Sequence, residues 1–204
     1  MAAYLLLRPY GDVGGGDTPA AAAAFSSGRW IAAHVCGALA LASFAALAIR
    51  LTDVVEGRLA RLARGTSYLG TVLVLPYYGA ETFALHVLGR SAAVGDLRVL
   101  ALVAEVRDQP VAVAMFAVGL LSLAVSGITF AVAWSRSGFG PQWAAWPLGI
   151  SLALVLPQFF LPPAGRIVFG LVYLVSALIL TWAISRQSDV VADESVPTDG
   201  RRQR

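Results

Sequence analysis

The sequence predicts an all-α protein, a bundle of five transmembrane helices with one or two short amphipathic helices in the linkers. Three observations predict it. Of 204 residues, 58% are apolar and 13% charged, against about 25% charged in an average soluble domain. A soluble chain of this length needs more polar surface to cover a single core, so the apolar excess calls for lipid as its solvent. The charges also leave five long stretches nearly free of them, each near the ~20 residues that cross a hydrocarbon core as helix. Finally, Trp30, Trp134, Trp143, Trp146 and Trp182 all fall near the ends of those stretches, where an interfacial aromatic belt belongs.

Residues 1–28 read as a flexible N-terminal segment. The short apolar run from Ala2 to Leu7 stops at Arg8-Pro9 and enters the glycine-rich linker Gly11–Asp17, unlike a secretory signal. A five-span domain then fills 29–187. Its first span covers about 30–50, bounded by Arg29 and Arg50. The following linker repeats Leu51, Val54, Val55, Leu59 and Leu62 at helical spacing, with Arg58, Arg61 and Arg64 largely on another side. That pattern extends the first span or lies along the interface. The second span, 67–89, is interrupted only by Glu81, and Val94–Val106 after it is a shorter amphipathic stretch. The third, 109–135, lies between Asp108 and Arg136. The fourth, 143–161, carries Pro157 and runs into Pro162-Pro163, so it cannot stay a regular helix to its end. The fifth, 167–186, closes at Arg186, and the polar, aperiodic tail 188–204 reads as disordered.

All 15 basic residues are arginine, which suggests a GC-rich genome; the expectation is the plasma membrane of a bacterium. Arg8, Arg29, Arg90, Arg98, Arg107 and Arg166 fall on the N-terminal side of a five-span chain and the other nine on the opposite side. The positive-inside rule then puts the C-terminus in the cytoplasm. No run interleaves arginine with aromatic residues, so nucleic acid is not an expected partner. The expected partner is the lipid bilayer. Ala33-x3-Gly37 and Ser122-x3-Ser126 offer small-residue faces for a homodimer or other membrane subunits. The sole cysteine, Cys36, excludes an intrachain disulfide and any multi-thiolate metal site.

Glu81 is the leading site candidate. A charge at that depth costs roughly 2.5–3.5 kcal/mol on insertion scales, and low dielectric disfavours the ionised form. The sequence therefore predicts a neutral acid, hydrogen-bonded to its neighbours. Pro76 just before it removes a backbone hydrogen bond and bends the helix. At about 100° per residue, Tyr77 and Tyr78 flank Glu81 on one face, while His86 points elsewhere. Tyr77 and Tyr78 are candidate ligand-binding residues, as is Gln158, which reaches Glu81 if the second and fourth spans touch. His34 and His86 lie at similar depth in antiparallel neighbours, the arrangement that a haem b or a small metal site needs. No metal box is otherwise present, and no cofactor is the expected state. Nucleophile elbow, phosphate loop and CxxC are all missing.

Three functions stay open. The first is a non-enzymatic bundle, acting as subunit, sensor or small-ligand binder, with its polar cluster at Glu81. The second is a small intramembrane enzyme acting on a lipid or isoprenoid, with Glu81 as general acid. The third is an electron-transfer protein with haem held by His34 and His86.

Overall fold

Every regular element among the described residues is helical. The computed structural model describes the backbone of residues 1–194 and the side chains of residues 1–187. Two short helices open the chain, α1 (Ala2–Leu7) and α2 (Pro19–Ser26). Both helices lie within residues 1–28, and Tyr4 and Leu5 are 4% and 1% exposed. Glycines on the longer helices make room for α1: a Cβ on Gly170 would lie 3.2 Å from the Ala2 Cα, and one on Gly37 would lie 3.2 Å from the Tyr4 ring.

Helix α2 starts at Pro19 with Thr18 as its cap, the hydroxyl accepting from the Ala21 N–H at 3.1 Å. Ser27 caps α3 (Gly28–Val54) in the same way. The linker pattern from Leu51 to Leu62 forms no separate helix. Its first part completes α3, and after a turn at Gly57, which has φ 130°, the rest opens α4 (Arg58–Gly79). A π-helical turn over Ala80–Ala84 joins α4 to α5 (Leu85–Ala93) without a break. The amphipathic stretch after it becomes a 3-10 turn at Leu97–Ala101 and α6 (Leu102–Arg107). Gln109 and Pro110 start α7 (Pro110–Ser137), and left-handed Gly138 ends it. Next come α8 (Trp146–Ala153), a 3-10 turn at Pro157–Phe160 and α9 (Pro163–Glu194). The tail read as disordered begins inside α9, and residues 195–204 lie outside the described residues.

Among the described residues, four helices are long and apolar enough to cross a membrane: Gly28–Val54, Arg58–Ala93, Pro110–Ser137 and Pro163–Gln187. The fourth predicted span is not a regular helix of that kind. Helix α8 has eight residues, about 12 Å of rise, and Pro157, which has no N–H to donate, starts the 3-10 turn instead of continuing it. The whole segment nevertheless runs antiparallel along α7. The Trp134 indole donates to the Pro141 carbonyl at 3.0 Å, and the Phe116 and Phe159 rings meet at 5.8 Å. Between those contacts Gly127 abuts Gly149, and a Cβ on Gly127 would lie 2.7 Å from the Gly149 carbonyl oxygen. Trp134 to Phe116 is about 27 Å of α7.

Helices α4 and α7 also pack backbone to backbone, a Cβ on Gly70 falling 2.7 Å from the Gly119 carbonyl oxygen. Buried Ser126 donates across this seam to the Ala63 carbonyl at 2.7 Å. The main apolar core joins α1, α3, α4, α7, α8 and α9. A smaller cluster of Phe25, Trp30, Leu85, Leu100 and Val103 ties α2 to α5 and the α6 region. Between these clusters, at the end of the bundle that holds both α1 and α6, lies a polar cavity.

Candidate binding cavity

The π turn builds one wall. In a regular α-helix the Leu85 N–H would bond to the Glu81 carbonyl; here it bonds to the Ala80 carbonyl. The Glu81 carbonyl instead accepts from the Trp30 indole at 2.8 Å, and the turn sets the Glu81 side chain on the cavity wall. Such one-turn widenings in α-helices are frequent at functional sites.

Glu81 is ion-paired. Arg107 Nε donates to Oε1 at 2.7 Å and Nη2 to Oε2 at 3.2 Å. The expected neutral acid bonded to Tyr77 or Tyr78 is not what forms, because α6 brings a guanidinium to the carboxylate from 26 residues away. Arg107 Nη2 also donates to Asp12 Oδ2 at 2.9 Å, and that oxygen accepts from Arg8 Nη2 at 2.7 Å. The result is a continuous chain, Arg8–Asp12–Arg107–Glu81. Its side chains are 7%, 5%, 22% and 14% exposed in that order, so the pairs form largely out of water, where an unpaired charge would be costly. Arg8 lies 5.1 Å from the centroids of both the Tyr10 and Trp30 rings, which holds its guanidinium by cation–π contact. Burial pushes the Asp12 carboxyl up, but Arg8 and Arg107 outweigh it and hold the group below its ordinary range. Burial pulls Arg107 down, and Glu81 and Asp12 more than offset that, leaving it raised.

The cavity has a volume of about 440 Å³. Its polar wall is Arg8, Asp12, His34, Tyr77, Tyr78, Glu81, Arg107 and Arg166; its apolar wall includes Tyr4, Phe116, Leu156 and Phe159. Tyr77 stacks on Phe116 with ring centroids 4.4 Å apart, and its hydroxyl donates to the Arg107 carbonyl at 3.3 Å. Tyr78 is 5% exposed, and its hydroxyl is buried with no hydrogen-bond partner among the described residues. Arg8 Nε and Nη1 and Asp12 Oδ1 are buried without partners too.

His34 lines the cavity and His86 does not. The Nδ1 atoms of both rings contact backbone carbonyls at 2.8 Å, Trp30 for His34 and Phe25 for His86. A carbonyl only accepts, so each Nδ1 carries a proton and Nε2 is the nitrogen left over. Among the described residues no group of three or more His, Cys, Asp or Glu could hold a metal ion. Gln158 is 2% exposed and makes no side-chain hydrogen bond among the described residues. It is neither a partner of Glu81 nor part of the cavity wall.

Sequence reasoning missed Arg8, Asp12, Arg107 and Arg166. One signal pointed at three of them: the topology that counted arginines on each side put Arg8, Arg107 and Arg166 at the end of the bundle toward which Glu81 lies. Asp12 gave no such signal, because it sits in a glycine-rich stretch. No protein-family model, curated protein or solved structure matches this chain.

Proposed function

We propose that this is an integral membrane protein that crosses the bilayer five times and binds a small molecule inside its bundle without chemically changing it. The observation that carries the binding reading is the cavity of about 440 Å³ with buried, unpartnered polar groups in its wall. That volume falls in the roughly 300–1,000 Å³ range of small-molecule sites, which pair apolar walls with a few placed polar groups. The non-catalytic reading is favoured by Glu81: a carboxylate whose two oxygens both accept from one guanidinium is poorly placed to give up a proton.

The membrane reading is supported by the outward faces of the long helices, where Leu39, Leu121 and Leu178 are 60%, 56% and 58% exposed. Five crossings are favoured over four by the broken segment beside α7 and by the start of α9, which lies next to α1. Arg8 and Arg107 are largely buried in ion pairs, which takes two of the six arginines on the N-terminal side out of the exposed surface. That widens the charge asymmetry and favours a cytoplasmic C-terminus. The arginine-only basic composition favours a bacterial plasma membrane.

The test is to fill the cavity. The purified full chain is screened by thermal unfolding against a panel of small amphiphiles. A hit on the wild type should vanish in Leu156→Trp, whose new ring occupies the cavity, and persist in Leu171→Trp, whose ring faces outward. Equal responses of both variants to every hit would remove this cavity as the site.

A further inference from the structure

We propose that the occupant of the cavity is a monoanionic amphiphile whose acidic head lies against Arg166; this rests on the binding reading above. The charges on the wall do not balance. Three guanidiniums, Arg8, Arg107 and Arg166, face two carboxylates, Asp12 and Glu81. Both carboxylates are held by Arg8 and Arg107. Arg166 forms no ion pair among the described residues.

Its hydrogen bonds run to neutral groups. Nε donates to the Leu161 carbonyl at 2.9 Å, and Nη2 donates to the Phe159 carbonyl. These two bonds pin the guanidinium where the broken segment turns into α9, and Nη1 makes no hydrogen bond among the described residues. Arg166 is only half-buried at the rim, so its unpaired charge faces whatever enters the cavity. One negative charge neutralises the wall, two would overshoot it, and a cationic ligand would be repelled.

The body of the ligand follows from the rest of the wall. Tyr77, Phe116 and Phe159 form a shelf of rings, with centroid separations of 4.4 Å and 5.8 Å along it, and Leu156 adjoins them in the lining. The cavity of about 440 Å³ has the bulk volume of roughly 15 waters. That suits a compact, flat apolar group carrying one acid.

Three probes with the same ring system and different charge test this: 2-naphthoate, 2-naphthalenemethanol and 2-naphthylmethylamine, titrated calorimetrically into the full chain in phosphatidylcholine nanodiscs. The expected result is that naphthoate binds roughly tenfold or more tighter than the alcohol, and that the amine binds more weakly than either. Arg166→Gln should bring naphthoate down to the level of the alcohol and leave the alcohol unchanged. If the alcohol or amine matches naphthoate on the wild type, the anion inference is overturned while the binding cavity stands. If none of the three binds the wild type, the inference of a flat anionic amphiphile falls, and the amphiphile screen above decides the binding reading on its own. A folded Arg166→Gln that keeps the preference for naphthoate overturns the role of Arg166. The comparison on wild-type protein decides the matter even if that variant does not fold.

Discussion

Arg107 grips Glu81 with two nitrogens, Nε on Oε1 at 2.7 Å and Nη2 on Oε2 at 3.2 Å, and so fastens α6 to the π turn between α4 and α5. The same guanidinium holds Asp12. Removing it strands Glu81, which is mostly out of water, and leaves Asp12 with Arg8 alone. Arg107→Met should therefore destabilise the protein by about 3–5 kcal/mol, the usual penalty for breaking a buried pair from one side. Glu81→Gln should be milder, because Arg107 keeps Asp12. Thermal unfolding of the purified variants measures both, and an Arg107→Met protein as stable as wild type would show the network to be incidental.

Acid should loosen the N-terminal segment. The folded Asp12 carboxyl sits below its ordinary value because Arg8 and Arg107 outweigh its burial. A depressed carboxyl contributes stability above its unfolded value, near 3.9, and loses it as the pH falls through the lower folded value. Stability from this group should be constant from neutral pH down to about 5 and then fall below about 4. Asp12→Asn should remove that acid limb. An unchanged limb in the variant assigns the loss to other groups.

Tyr78→Phe should leave the protein as stable as wild type or more stable. The hydroxyl is buried and has no hydrogen-bond partner among the described residues, and an unsatisfied buried polar group costs about 1–3 kcal/mol. A clear loss of melting temperature in the variant would mean that the hydroxyl bonds a neighbour in the folded protein, the adjacent Tyr4 ring being 5.9 Å away between centroids.

Single cysteines distinguish five crossings from four. On a Cys36→Ser background, Glu56→Cys, Arg136→Cys, Asp96→Cys and Ala164→Cys each place one thiol at an exposed position. A membrane-impermeant maleimide applied to intact cells should label positions 96 and 164 and spare 56 and 136. Labelling of 164 that follows 136 instead would mean that the broken segment stays on one side.

The long helices were legible because each needs only a run of apolar residues. Their ends were less so. A charge marks the limit of an apolar run but not of a helix: α4 begins at Arg58 and carries Arg61 and Arg64 within it. Glu81 stood out by its depth, and helical spacing put Tyr77 and Tyr78 on its face. Its ionic partner was hidden because Arg107 lies in a linker and Asp12 in a stretch that reads as loop; only tertiary folding brings them together. The prolines announced that the fourth span would break. The close approach of Gly127 and Gly149, which keeps the broken pieces on α7, left no trace in the local pattern.

The π turn has a consequence for evolution and engineering alike. It carries one more residue than an α-helical turn, so it changes the phase of the helix by about 100°. Below it, Gly70 and Val74 are in phase with α7; above it, Leu85 and Gly89 are in phase with α2 and His86 reaches the Phe25 carbonyl. One helix thereby serves two neighbours that a uniform repeat could not face at once. Deleting a single residue between Ala80 and Ala84 would restore the uniform repeat, and every contact above the turn would rotate out of place.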